Sequence, residues 1–199
     1  MRFYIMDNHY NHYGIIKHDK RPFSSVEEMN EFMIEKHNKK VRPNDEIIFG
    51  GDFMLSNSID EVENMLKRLN GKKYLVIGNH DRYVKDKNFD RSLFGWIKDY
   101  AELNDNNRKV IISHYPIMFY KGQYKGDNTY HLCGHVHDSQ DNKLLEQFIK
   151  QTLEYEMPDG KKIPCNIINC YAGFSNYEPL TLDEWILLTN KRLKDRNIL

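Results

Sequence analysis

Short apolar runs in this chain alternate with helical stretches that carry their own start signals, and each run stops abruptly at a polar residue or a glycine. Phe3-Tyr4-Ile5-Met6, Glu46-Ile47-Ile48-Phe49 and Lys73-Tyr74-Leu75-Val76-Ile77 read as strands. Between the first two, Ser24-Ser25-Val26-Glu27-Glu28 reads as a capping box, Ser followed three residues later by Glu, and Val26, Met29, Phe32 and Met33 keep helical spacing toward Lys40. Ser58 with Glu61 repeats the signal ahead of Ile59, Val62, Leu66 and Leu69, and Asn70-Gly71 ends that helix. Strand, helix, strand, helix, strand in this order implies βαβ units and a largely parallel sheet.

The second half is less regular. The polar stretch before Pro22 reads as a loop with a short helix, and residues 82–107 are mixed, with Leu93 to Ile97 fitting helix or strand. Lys109–Ser113, Thr129–Cys133 and Cys165–Asn169 read as strands. Asp138 to Gly160 is amphipathic around Leu144, Leu145, Phe148 and Ile149, and Thr181 with Glu184 caps a final helix bearing Trp185. With 199 residues and no internal repeat, low-complexity tract or linker, a single domain over 1–199 is expected.

Charge and cysteine usage narrow the function classes. Lys+Arg and Asp+Glu both number 29, so the zero net charge argues against a nucleic-acid coat or an anionic-membrane binder. Three cysteines, Cys133, Cys165 and Cys170, form no C-x-x-C and read as buried small hydrophobes rather than a disulfide framework. No apolar run is long enough for a signal peptide or a membrane span, so a cytoplasmic protein is expected.

The strand ends share one grammar. Asp7-x-His9, Gly51-Asp52, Gly78-Asn79-His80-Asp81, His114 and Gly134-His135-x-His137 each follow an apolar strand at once. Open α/β sheets place their sites at the carboxyl ends of strands. Asp7, His9, Asp52, Asn79, His114, His135 and His137 make a plausible ligand set of oxygen and imidazole donors, a mixture that suits Mn, Fe or Zn better than Ca or Mg. On an extended strand end, residues two apart point the same way, so Asp7 and His9 would converge, as would His135 and His137. Seven ligands are too many for one tetrahedral ion and enough for two, and Asp52, alone on its strand end, is the natural bridge between ions about 3.5–4 Å apart. Asn79 would offer a neutral oxygen, while His80 stays free for proton transfer. Taken singly, each of these residues has a structural explanation, such as a turn or a satisfied strand-end histidine; jointly, seven such coincidences are improbable.

The five blocks, in this order and over about two-thirds of the chain, resemble the calcineurin-like metallophosphoesterase superfamily. Arg21 to Met29, His12 and Asn176 to Leu182 are similar to a small bacterial and phage branch, mostly uncharacterised. That branch usually begins D-T-H-F-G-H; Asn8 and Asn11 are departures beside kept ligand positions. The resemblance implies a four-layer αββα sandwich of two mixed β-sheets. It implies a first ion on Asp7, His9 and His137, a second on Asn79, His114 and His135, Asp52 bridging, and His80 as proton donor oriented by Asp81. It implies two divalent transition-metal ions, manganese first, with iron, zinc or nickel as alternatives. The implied reaction is hydrolysis of a phosphate ester by attack of metal-bound hydroxide. With no cap domain in so short a chain, small phosphodiesters or cyclic nucleotides are favoured over monoesters, and nucleic acid enters only as substrate. A non-catalytic protein-binding scaffold is the alternative from another class; loss of His80 or of the ligands would have signalled it.

Several residues keep two readings. His12 and Arg82 are candidate substrate contacts, as is Arg21, whose bland alternative is pairing with a nearby carboxylate. Lys121 and Lys125 lie on a loop that either touches substrate or is solvated. His18 and His37 read as solvated, and His131 as structural.

Overall fold

The computed structural model describes residues 1–125 and 128–199, so the loop segment 126–127 lies outside the described residues, as does the side chain of Lys125. In chain order the regular elements are β1 (Arg2–Ile5), α1 (Tyr13–His18), α2 (Val26–Lys40), β2 (Glu46–Phe49), α3 (Ile59–Arg68), β3 (Lys72–Val76), β4 (Ile97–Lys98), β5 (Tyr100–Asp105), β6 (Arg108–Ser113), β7 (Thr129–Cys133), α4 (Gln140–Glu154), β8 (Ile167–Asn169) and α5 (Leu182–Asp195). They build two four-stranded sheets, β1-β2-β3-β4 and β5-β6-β7-β8. The fold is α/β, with both sheets flanked by helices, as the sequence implies. One detail differs: the first sheet is wholly parallel, and only the second is mixed, through the antiparallel β5–β6 pair. Helical crossovers α2 and α3 keep the first three strands parallel, whereas β5 returns into β6 across Asn106 and Asn107, both at positive φ. Two left-handed residues make the tight turn whose twist suits a hairpin.

β1 and β2 are buried on both faces over their last three residues, which is why they read as continuous apolar runs, while β3 is buried only at its end and the edge strand β4 is not. Phe3, Ile5, Ile47 and Phe49 face Met29, Met33, Val62 and Leu66 of α2 and α3. Tyr4, Met6, Ile48 and Val76 face the other way, against Val110, Ile112, Leu132 and Ile168 of the second sheet. On that sheet's far side, Ile111, Cys133 and Ile167 pack with Leu145 and Ile149 of α4. The Ser25, Ser58 and Thr181 side chains cap their helices by accepting from the Glu28, Glu61 and Glu184 amides, but only Thr181 and Glu184 complete a reciprocal box; the Glu28 and Glu61 carboxylates accept instead from Ser24 and Ser56. The three cysteines are free and buried.

The two sheets are joined at the β1 edge. Tyr4 exchanges backbone hydrogen bonds with Leu180, at 2.8 and 3.2 Å. The Met6 N–H donates to the Cys170 carbonyl at 3.0 Å, and the Met6 carbonyl accepts from Ala172 N–H at 2.9 Å. Trp185 on α5, fully buried, donates its indole N–H to the Tyr4 carbonyl at 2.9 Å. The carboxyl end of β1 therefore lies beside that of β8, and the strand ends of both sheets open on one side.

His37 corrects its sequence reading. It is buried rather than solvated, stacked on Phe49, with Nε2 2.9 Å from the Asn70 carbonyl. His131 is structural, as expected: Nε2 accepts the Ile117 N–H at 2.9 Å and Nδ1 faces the Ile111 carbonyl at 3.2 Å, which fixes the neutral ring. Burial holds both pKa values down, to about 4. The unfolded chain takes up these protons near pH 6.5 and the folded one does not, so stability is lost as pH falls below 6.5. Urea unfolding at pH 7 and pH 5 is expected to show a loss of about 1–2 kcal/mol per buried histidine, and His37→Gln should shrink it.

Candidate metal centre

Five of the seven sequence-derived donors, His9, Asp52, Asn79, His135 and His137, line one cleft of about 440 Å³, and Asp7 and His114 are buried beside it. The first group is Asp7, His9 and His137. His9 Nε2 faces His137 Nε2 at 3.2 Å, and His137 Nε2 lies 3.6 Å from Asp7 Oδ1. The second is Asp52, His114 and His135, with Asn79 between them: its Oδ1 is 3.0 Å from His114 Nε2 and 3.0 Å from His135 Nδ1. Asp52 Oδ2 reaches both groups, 3.6 Å from His9 Nε2 and 3.5 Å from His114 Nε2. The other Asp52 oxygen accepts the His80 N–H at 2.8 Å.

Convergence has a different origin from the pleat of an extended strand. Asp7, His9, Asp52, His135 and His137 all have left-handed backbones, with φ of 58°, 54°, 52°, 69° and 42°. Such a conformation costs about 1–2 kcal/mol for a residue with a Cβ, and surrounding bonds hold it. Asp7 N–H donates to Gly51 O and His9 N–H to Asp52 O. The His135 N–H donates to the Asp7 carboxylate, 3.0 Å from each oxygen. Gly134 makes that approach feasible, since a Cβ there would meet Asp7 Oδ2 at 2.5 Å. Gly78 does the same for the Asp52 turn, where a Cβ would strike the Asp52 amide.

The charges suit a cation. Burial lowers the pKa of His9 to about 3. Burial also lowers that of His137, but hydrogen bonds with Asp19 and Asp7 outweigh it and raise it to about 9. Two ring nitrogens facing each other at 3.2 Å thus share a place for one positive charge. Burial raises the pKa of Asp52, yet His114, His9 and the His80 N–H hold it down near 2, so the carboxylate is ionised. Donors 3.0–3.6 Å apart sit as neighbouring ligands do around an ion with bonds of about 2.1 Å. The donor set therefore fits divalent ions at both groups.

Three sequence expectations meet corrections. Asp81 does not orient the His80 ring: its buried carboxylate accepts from the Asp52, Phe53 and Gly78 N–H groups at 2.8–2.9 Å and so fastens two ligand-bearing turns together. Burial pushes its pKa up, to about 7, against those donors. Arg21 does not face the cleft. Its side chain is inaccessible, donating to the Asn8 and Asp7 carbonyls at 2.7 and 2.9 Å between the Tyr171 and Tyr177 rings, with Asp19 at 3.4 Å. Arg82 is exposed and is not among the residues lining the cleft, although its N–H donates to the His80 carbonyl at 2.8 Å. His12 does line it, next to His80, and Lys121 pairs instead with Glu102 at 2.9 Å. Asn11 is turned away, bonded to Asn30 and Glu61.

Asp19 was not singled out by sequence. It accepts from Tyr171 Oη at 2.7 Å and stands 2.9 Å from Nδ1 of both His137 and His18. No motif marks it; only the fold brings the end of α1 behind His137. A carboxylate on Nδ1 presents Nε2 to a metal and raises its basicity. Asn169 adds a second support, donating to the His137 carbonyl at 2.8 Å.

A sequence profile of the calcineurin-like phosphoesterases matches residues 7–185. The chain belongs to that family. It is 31% identical over 188 residues to an uncharacterized protein of Methanocaldococcus jannaschii, MJ1445, covering 94% of this chain and 90% of that one. It is also similar to the crystal structure of AQ665, a protein of unknown function from Aquifex aeolicus, at a TM-score of 0.65 and 25% identity over 92% of this chain and 96% of that one. Family membership and the clustered donors together fit a metal-dependent hydrolase. Among the described residues, no helix is long and apolar enough to cross a membrane.

Asp19→Asn keeps the shape of the His137 partner and removes its charge. Metal titration by calorimetry is expected to show affinity lowered by about 10–100-fold at one of two sites, while His18→Ala, altering an exposed side chain, should leave it near the wild-type value.

Proposed function

We propose that this protein is a binuclear metal-dependent phosphodiesterase. Asp7, His9 and His137 hold the first ion, Asn79, His114 and His135 the second, and Asp52 bridges them. The observation that carries this reading is the position of Asp52 Oδ2, within 3.6 Å of imidazole nitrogens from both groups. Ions held there supply hydroxide near neutral pH and offset charge on phosphoryl oxygens. Manganese is the favoured metal, because imidazole and carboxylate donors are mixed in each shell.

The chain's own residues divide the remaining work. Asp81 fixes the Gly78 turn from beneath, and the His80 amide is tied to Asp52. The His80 ring stays accessible at the cleft, with Nε2 4.0 Å from Asp52 Oδ2. There it donates a proton to the leaving oxygen, a role worth about 10²–10⁴-fold. Among the described residues, none that lines the cleft is Lys or Arg. A singly charged diester needs less compensation than a doubly charged monoester, and this favours small phosphodiesters or cyclic nucleotides.

Purified protein loaded with manganese is expected to contain two ions and to cleave a chromogenic phosphodiester in preference to the matching monoester. His80→Ala should retain both ions while kcat falls about 10²–10⁴-fold. Loss of metal from His80→Ala would show that His80 is a ligand and not the proton donor; absence of hydrolysis with both sites filled would sink the enzyme reading.

A further inference from the structure

His12 precedes α1, and its ring stands at the cleft 5.2 Å from the His9 ring and 5.5 Å from that of His80. Its Nδ1 lies 3.2 Å from His9 Nδ1. Two imidazole nitrogens at this distance require one to carry a hydrogen and the other to accept it. Which one does so is decided on the far side of His9. There Nε2 faces His137 Nε2 and Asp52 Oδ2, at 3.2 and 3.6 Å. If His9 ligates through Nε2, its hydrogen must be on Nδ1, so His12 Nδ1 is the acceptor. The neutral His12 ring then carries its own hydrogen on Nε2.

Nε2 of His12 points away from His9 toward Gly14, another cleft residue, where even an added Cβ would come within 3.2 Å of it. Glycine at this position leaves that nitrogen open. Among the described residues, no hydrogen-bond acceptor occupies it.

We propose that His12 is a second, neutral hydrogen-bond donor of the centre, its Nε2–H aimed by His9 at the phosphoryl group of the substrate. The proposal rests on the ligand assignment of His9 made above. It separates the roles of two adjacent imidazoles: His80 gives up a proton, and His12 holds one in place. The chain of positions runs from the ion through His9 Nε2 and Nδ1 to His12 Nδ1 and Nε2, so metal binding writes the tautomer of a substrate contact.

Zinc, being diamagnetic, allows the ring nitrogens of the full-length protein to be read directly. In long-range ¹H–¹⁵N spectra of zinc-loaded protein, His12 is expected as the Nε2–H tautomer and His9 as Nδ1–H. His12→Phe keeps the ring volume and removes the donor, and His12→Gln restores an amide donor. With saturating metal, and two ions verified in each variant, kcat/KM for the chromogenic diester should fall about 10²-fold in His12→Phe. His12→Gln should recover a substantial part. Inorganic phosphate, titrated by calorimetry into the zinc-loaded forms, should bind more weakly to His12→Phe than to the wild type. An Nδ1–H tautomer at His12, or a fully loaded His12→Phe with wild-type kcat/KM and phosphate affinity, overturns this proposal alone. A wild-type protein that takes up no zinc overturns it through the ligand reading on which it depends.

Discussion

Met6 carries the join on which the centre depends. Its N–H and C=O bond to Cys170 and Ala172, just beyond the last strand of the opposite sheet. Its side chain lies in the apolar layer between the sheets. Without this contact, Asp7 would end one sheet and His135 another, their separation set only by the apolar layer and the Tyr4 bonds farther back on β1. With it, the Asp7 carboxylate lies close enough to take the His135 N–H on both oxygens. The central apolar layer supplies the driving force that presses the sheets together, and the backbone bonds set the registration that apolar packing alone leaves loose.

Charged groups beneath the cleft serve the backbone as much as the chemistry. Asp81 ties three amides from two strand ends, and Arg21 ties two carbonyls of the first ligand segment. Both are buried, and a buried charge is tolerable only when its hydrogen-bonding capacity is met. Their partners are the backbone around left-handed Asp7 and Asp52. Strained turns at functional sites persist when surrounding structure over-determines them, and these two side chains supply that restraint.

Much of the site was legible because its residues follow strands whose apolar runs are unmistakable. Asp7, Asp52, Asn79, His114 and His137 needed no more than the strand-end grammar to be placed together. The geometry that brings them together was not legible: the left-handed turns at His9 and His135 are set by hydrogen bonds to remote residues and leave no local sequence mark. Asp81 takes backbone amides in place of the His80 ring, and Arg21 adds two carbonyls to the carboxylate pairing that its sequence position already allows, for a related reason. Sequence shows proximity to a motif but not which side of the turn a long or buried side chain takes. β5 leaves only a faint sequence signal because few residues from Tyr100 to Asp105 are buried, whereas Asn106-Asn107 is the turn that marks the hairpin. His37 looked solvated because helix α2 is polar over most of its surface, yet His37 falls on the face that meets Phe49.

The two donor groups draw on both sheets, with His9 and Asp52 from one and His114, His135 and His137 from the other. On the proposed reading, each ion is therefore a rivet between halves of the molecule that are otherwise held by apolar packing and a few backbone bonds. Segments 128 residues apart, at His9 and His137, would be closed into a loop by an ion bound only in the folded form. Metal supply would then set the mechanical integrity of the protein together with its chemistry, and the empty chain would loosen first at the seam between its sheets.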